Sequence, residues 1–263
     1  MNLVLIHRGE FDARGRVELT DRRAAHLVKV KKVKPGEVVP VGEINGAKGT
    51  GEVVAAEENK VVLDVALSDT RAEACTPVDV ILALPRPQIL KASLQVSSMM
   101  GVRRLYIVRS IKSEKSYLQS RVLEPKQLEY YLTLGLEQGM NTVLPEVIIV
   151  PKFYELFSHF GELTRSNQTR LLAHPGARRS LLDVFRDEPA PEPQGEYLLG
   201  IGPEGGWVEN ECSVFERAGF KTFRLGHHVL RVEYALTALL AHVAMLGELT
   251  SSAKVASASH VRA

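Results

Sequence analysis

Val78 to Leu84 constrains the fold more than any other stretch. It is a nearly continuous apolar run of strand length, as expected of a strand covered on both faces. The chain changes rhythm there. Before it, Leu3–Ile6, Val38–Val41, Gly49–Ala56 and Lys60–Val65 read as short strands, separated by the turns Lys34-Pro35-Gly36-Glu37, Asn45-Gly46 and Glu58-Asn59. Asp21–Lys32 reads as a short basic helix capped by Thr20 or Asp21. Close-spaced strands predict a small barrel or sandwich. After Val78–Leu84, strands at Leu105–Val108, Arg170–Ala173, Tyr197–Ile201 and Thr222–Leu225 alternate with helices at Ile89–Met100, Lys126–Gln138, Glu209–Ala218 and Arg231–Leu246. That alternation predicts an α/β fold with a parallel sheet and helices on both faces. The expected division is 1–73, 74–248 and a disordered small-residue tail, 249–263. Ser68–Pro77 is the expected linker, and the proline-bearing stretch Asp187–Gln194 a surface loop.

Several function classes fall away. No stretch nears the ~18 apolar residues of a membrane span. The first residues place apolar side chains before charge, the reverse of a secretory signal, so a cytoplasmic location and no membrane partner are expected. Cys75 and Cys212 are too few and too distant for a disulfide framework, and no His-Cys spacing fits zinc, so no metal is expected.

Net charge is only +2, but it is unevenly spread. Arg22, Arg23, Lys29, Lys31, Lys32 and Lys34 occur without a carboxylate between them, and nine further cations fall between Arg86 and Lys126 against Glu114 and Glu124. Either stretch alone is equally well a solvated basic face. Two together in a nearly neutral chain favour a polyanion partner.

Ligands of parallel α/β sheets bind beyond the carboxyl ends of the strands. Three strands end in unusual bends: Ala173-His174-Pro175-Gly176, Ile201-Gly202-Pro203-Glu204-Gly205-Gly206 and Leu225-Gly226-His227-His228. Their glycines let main-chain groups approach a ligand. No Gly-Lys-Ser/Thr follows, so this is no Walker loop, and the glycines come too late for a dinucleotide fingerprint. In the final helix, Val232, Ala235, Leu236, Leu239, Leu240, Val243 and Leu246 form a core-facing stripe. Arg231 sits in its first turn against the helix dipole, which fits either a surface pair with Glu204 or Glu233 or a functional cation.

With these pieces in place the chain resembles the 16S ribosomal RNA uridine N3-methyltransferase family of the SPOUT superfamily. The resemblance rests on Leu172–Gly176, Ile201–Gly206, Ala218-Gly219-Phe220 and Leu225-Gly226 through Ala235, with Leu82-Ala83-Leu84-Pro85-Arg86-Pro87, Gly135–Gln138 and Leu144–Val147. His26-Leu27 through Glu37 resembles its PUA-like barrel. The likeness implies a PUA-like β-barrel followed by a SPOUT-type α/β domain with a C-terminal trefoil knot. It also implies S-adenosylmethionine as cofactor, a homodimer with its site near the interface, and 16S ribosomal RNA or the small ribosomal subunit as partner. Carried onto this chain, cofactor-binding falls to Leu172, Ala173, His174, Pro175, Gly176, Ile201, Gly202, Pro203, Glu204, Gly205, Gly206, Leu225, Gly226, Leu230 and Ala235. Leu172, Ile201, Leu225 and Leu230 are the apolar walls, and Glu204 meets either the ribose or the positive sulfur. Arg231 is the expected catalytic cation, stabilising negative charge as uracil N3 loses its proton. Arg22, Arg23, Lys29, Lys31 and Lys32 are the expected RNA contacts.

Three stretches depart from the family pattern. Val232 and Tyr234 stand where threonines are usual, and Tyr234 is a candidate to narrow the pocket. Trp207-Val208 replaces Phe-Ser, which removes a helix-capping hydroxyl. Gly139-Met140-Asn141 lacks the usual arginine. A second reading is therefore an RNA-binding ribosome-assembly factor of the same fold, catalytically weak or inactive because Tyr234 closes the pocket.

Overall fold

The computed structural model describes residues 1–71, 78–158, 168–187 and 195–260. The N-terminal unit is a curled sheet of β1 (Val4–Ile6), β2 (Arg16–Leu19), β3 (Val38–Glu43), β4 (Ala47–Glu57) and β5 (Lys60–Arg71), in the order β1-β3-β4-β5-β2. Register shifts between Ala47 and Gly49 and between Val53 and Ala55 bend the long β4–β5 hairpin. Val4, Ile6, Val17, Leu19, Val41, Val53, Val61 and Leu63 alternate inward to fill it. Helix α1 (Arg22–His26) is capped by the Asp21 carboxylate, which accepts from Arg23 N–H. It widens into a π-helical turn, Leu27–Lys31, and stops at Lys32, whose φ is 55°.

The second unit is a six-stranded parallel sheet in the order β11-β9-β10-β6-β7-β8. Its strands are β6 (Val78–Ala83), β7 (Arg104–Val108), β8 (Glu146–Val150), β9 (Gln168–Ala173), β10 (Glu196–Ile201) and β11 (Lys221–Phe223). All six residues of β6 are buried, as its apolar run requires. On one face α2 (Pro87–Met99), α3 (Pro125–Gly139) and α7 (Val232–His260) enclose Leu82, Leu94, Leu105, Leu132, Leu236 and Leu240. On the other, α6 (Glu209–Arg217) packs Phe215 against Trp207, Leu172 and Leu198; the short α4 (Glu155–Ser158) lies on that side, and α5 (Leu181–Asp187) follows β9. Gly139 lies within α3, one residue past the expected Lys126–Gln138. A Cβ there would stand 2.6 Å from Met99 O, and one on Gly135 2.1 Å from Gln95 O. The pair lets α2 and α3 approach closely, and Met140 takes the left-handed cap.

At the amino ends of the strands, fully buried Asp79 accepts from Arg103 Nε at 2.9 Å and Arg104 Nη2 at 2.5 Å, while Arg103 also grips Glu196. Burial raises the Asp79 carboxyl, but the two guanidiniums outweigh it and hold its pKa below the ordinary aspartate value. The two units are joined by Leu3, Leu5 and Leu136, by Asn2 and Leu3 N–H groups donating to Glu137 O, and by Arg22 bidentate to the Glu137 carboxylate at 2.7 and 2.8 Å.

Two expectations need correction. Ser68 to Arg71 belongs to β5, because pairing with β4 continues to Ala47↔Arg71; 72–77 lies outside the described residues, as does 188–194. The backbone of α7 is helical to His260 where disorder was expected. Glycine and proline are both absent from Glu248 to Ala263, so nothing local stops the helix.

Candidate active site

β9, β10 and β11 end side by side, and their three bends enclose one cavity of about 360 Å³. His174 N–H donates to Phe223 O at 2.9 Å, tying the first bend to β11. In the second, Gly206 N–H donates to Pro203 O at 2.7 Å, and Gly206 holds φ at +67°. A Cβ on Gly202 would lie 3.1 Å from Gly206 Cα and Trp207 N, so a side chain here would press the bend open by a few tenths of an ångström. In the third, Gly226 has φ +74° and leads to Arg231, whose carbonyl opens α7 by accepting from Ala235 N–H.

The central bend is braced from several sides. Lys112 Nζ donates to Gly205 O at 2.6 Å. The Glu204 carboxylate accepts Arg86 N–H at 3.0 Å. Buried Glu211 accepts Val208 N–H at 3.0 Å and Ile111 N–H at 2.8 Å, making one half of a capping box whose other half Val208, with no side-chain oxygen, cannot supply. Trp207 is buried against Phe153 and Phe215. Lys112, Glu211 and Trp207 thus carry the site's shape. Sequence reasoning did not assign them that role, though Glu211 three residues past the cap position was a readable signal.

Of the cofactor candidates, Ala173, His174, Pro175, Ile201, Gly202, Pro203, Glu204, Gly206, Leu225, Gly226, Leu230 and Ala235 line the cavity, and so does Arg231. Leu172, Gly176 and Gly205 do not. Neighbouring residues of a strand face opposite ways, so Leu172 packs into the far core beside Ile81 and Trp207. Gly205 turns toward Lys112, and Gly176, the last residue of its bend, faces the His174 ring. Arg224, His227, His228, Val229 and Val232 join the lining; the first four flank Gly226 in the bend already singled out.

Burial, and then the Lys112 ammonium, push the His174 imidazole below the ordinary histidine pKa, so it is neutral at pH 7. Its Nδ1 is buried without a hydrogen-bond partner. Arg231 is 66% exposed, pairs with Glu233 Oε1 at 3.0 Å, and lies 5.7 Å from the centroid of the Tyr234 ring. Glu233 is buried, and its Oε2 has no partner. Tyr234 does not narrow the pocket. Helical spacing turns Val232 and Ala235 inward and leaves Tyr234 57% exposed, which removes the physical basis for a closed, inactive site.

The basic stretch divides. Arg23 is buried, donating to Leu5 O and to the Glu10 and Asp21 carboxylates. Burial raises both carboxyls, but Arg23 draws each below its ordinary pKa. Arg22 is committed to Glu137. Arg23 is therefore turned inward, whereas Arg22, paired as it is, keeps 35% of its side chain exposed. Lys29, Lys31 and Lys32 are exposed. Among the described residues no three His, Cys, Asp or Glu side chains converge as a metal site, and no helix is long and apolar enough to cross a membrane.

A sequence model of the RNA methyltransferase domain matches residues 72–244, and one of the RNA methyltransferase PUA domain matches 19–66. The chain is 30% identical over 249 residues to ribosomal RNA small subunit methyltransferase E of Treponema pallidum, covering 92% of this chain and 90% of that protein. It is 25% identical to methyltransferase E 1 of Borreliella burgdorferi, covering 90% and 95%. Among solved structures, ribosomal RNA small subunit methyltransferase E from Neisseria gonorrhoeae, bound to S-adenosyl methionine, shares the fold with a TM-score of 0.72 at 23% identity, covering 93% and 98%.

Proposed function

Since this chain belongs to the RNA methyltransferase family that includes ribosomal RNA small subunit methyltransferase E, we propose that it methylates N3 of a uridine in 16S ribosomal RNA, with S-adenosylmethionine as donor. The observation that carries this reading is the single cavity made by the three glycine-bearing bends, with Arg231 on its wall.

The residues fit that donor. Ile201, Leu225, Leu230 and Ala235 offer apolar walls for an adenine, and Gly202, Gly206 and Gly226 bare main-chain groups toward it. The orphaned His174 Nδ1 is one further polar atom at the cavity without a protein partner. Glu204 spends one carboxylate oxygen on Arg86 and keeps the other for the ribose or the sulfonium. When bound, S-adenosylmethionine supplies an electrophilic methyl group on sulfur.

The chain's own contribution is to seat the base and carry its charge. Loss of the N3 proton spreads negative charge over uracil O2 and O4. Arg231, in place before the reaction, stabilises that charge as it develops. Glu233 from below and the Tyr234 ring beside it hold the guanidinium in position. The proton leaves to solvent.

The substrate places the reaction in the cytoplasm, and Lys29, Lys31 and Lys32 contact its phosphates. The active form is a homodimer: Tyr234, Ala241 and Met245 share one exposed face of α7 at helical spacing, an apolar stripe for a second copy to cover. The reading also implies that α7 returns through a trefoil knot.

The test is methylation of small ribosomal subunits with labelled donor, followed by nucleoside mass spectrometry and mapping. N3-methyluridine at one position in 16S RNA is expected. A different methylated nucleoside overturns the specificity, and no calorimetric binding of S-adenosylmethionine overturns the site.

A further inference from the structure

The N-terminal unit has a cavity of its own, of about 380 Å³, between β1, the π-helical turn and β3. Resting on the reading of RNA as substrate, we infer that it is a pocket for one unstacked nucleobase of single-stranded RNA, with the flanking phosphates held by the lysines at its mouth. Its base is apolar and buried, formed by Val4, Leu27 and Val39. Its rim carries Lys31 and Glu37, with Val38 61% exposed.

The chemistry sorts base from backbone. A phosphate inside would lose its water to aliphatic walls and face the Glu37 carboxylate. A base presents a flat apolar face to those walls and ring N–H edges to a carboxylate. Glu37 uses Oε2 to accept Lys34 N–H at 3.0 Å and keeps Oε1 for such a donor. Outside, Lys29, Lys31, Lys32 and Lys34 are all exposed, and Val30 among them is 65% exposed. An apolar side chain left in water between lysines suits a partner that offers both phosphates and bases.

The backbone at this mouth is unusual in a way that local sequence does not require. The helix widens by one residue per hydrogen-bonded ring, and Lys32, not a glycine, takes the left-handed conformation at its end. Such departures cost energy and concentrate at working sites. Here the wide turn ends among the lysines and borders the cavity through Leu27 and Lys31. Lysines on a plain surface give affinity without regard to bases. A cavity with Lys31 on its rim and further exposed lysines on the adjoining turn gives the barrel a preference for unpaired RNA.

The test uses the full chain, fluorescence anisotropy and two probes: a mixed-sequence RNA decamer and a fully abasic ribose-phosphate decamer. The wild type is expected to bind the first roughly tenfold more tightly. Val38→Ser, a change at an exposed position, is expected to erase most of that preference and leave abasic binding intact. Val4→Phe, which fills the cavity, does the same, with circular dichroism checking the fold. Lys29→Ala/Lys31→Ala/Lys32→Ala weakens both probes alike and lowers the salt slope by about 2. Equal wild-type affinity for the two probes overturns the pocket. So does binding to anionic phosphatidylserine vesicles without any preference for bases, which assigns the surface to membranes. Methylation assayed on the same preparations separates the two ideas: equal probe binding with normal methylation removes the pocket alone, whereas absent methylation counts against the active-site reading.

Discussion

Arg231→Ala separates two accounts of one guanidinium. As an ion pair, Arg231 matters to stability through its partner: its own side chain is 66% exposed, but Glu233, 3.0 Å away, is buried. Stranding a buried carboxylate costs up to about 3–5 kcal/mol, so the melting temperature should fall by several degrees. As the group that meets charge developing on the uracil, it matters a great deal. Removing one preorganised donor from such a site costs about 2.7–4 kcal/mol in the transition state, or about 10²–10³ in turnover. The two effects are similar in size, and they appear in different measurements. Single-turnover methyl transfer to small subunits should fall by about 10²–10³. Calorimetric affinity for S-adenosylmethionine should stay within a few fold, and the denaturation midpoint should fall as Glu233 loses its cation. Arg231→Lys keeps the charge but loses the planar fork and should recover only part of the rate. Undiminished methylation by Arg231→Ala would refute the assignment. Loss of cofactor affinity in proportion to turnover would instead make Arg231 a wall of the cofactor site.

Three further outcomes follow from packing and charge. Asp79→Ala leaves Arg103 and Arg104 facing each other without their shared buried carboxylate, and should cost about 3–5 kcal/mol in urea denaturation. Because the folded Asp79 pKa is depressed, the wild-type stabilisation is present above the ordinary aspartate pKa and lost as pH falls through the folded value; the stability gap between the two proteins should close in acid. Gly202→Ala forces a Cβ to 3.1 Å from Gly206 Cα and should weaken S-adenosylmethionine binding about tenfold, with little change in RNA affinity, read by calorimetry and anisotropy. Arg22→Ala strands the buried Glu137 carboxylate and should cost about 3 kcal/mol of stability, yet leave the salt slope of RNA binding unchanged; a shallower slope would restore Arg22 as a phosphate contact.

What could be read from the chain was whatever local physics decides. Val78–Leu84 has no polar face to offer water, so it had to lie inside a sheet, and β6 does. The bends were visible because Gly206 and Gly226 adopt left-handed backbone that other residues resist. Misses occurred where the deciding partner is remote. Strand β8 is an edge with half-buried and exposed side chains, set between Pro145 and Pro151, and its short apolar run carries no period to separate it from a loop. Arg22 and Arg23 read as members of a basic run, yet one is claimed by Glu137, 115 positions away, and the other by Glu10 and Asp21. Leu172 and Ala173 are adjacent in the motif, but the pleat sends them to opposite faces. A motif identifies the neighbourhood of a site, and the strand's alternation decides which half of it meets the ligand.

The two sides of the cavity are held very differently, and that difference has a measurable consequence. Gly202–Val208 is fixed by Arg86, Lys112, Glu211 and the aromatic cluster around Trp207. Across from it, Gly226 to Leu230 is exposed, and among the described residues none of these five makes a hydrogen bond or ion pair. Val229 is 75% and Leu230 42% exposed, apolar side chains at a cavity mouth. A braced wall needs no reorganisation to receive a ligand, whereas an unbraced one gains contacts only when the cavity fills. Saturating S-adenosylmethionine should therefore slow amide hydrogen exchange strongly across 226–230 and only slightly across 202–208. Equal protection of both segments would mean that the second bend is as preformed as the first, and uniform lack of protection would place the ligand elsewhere.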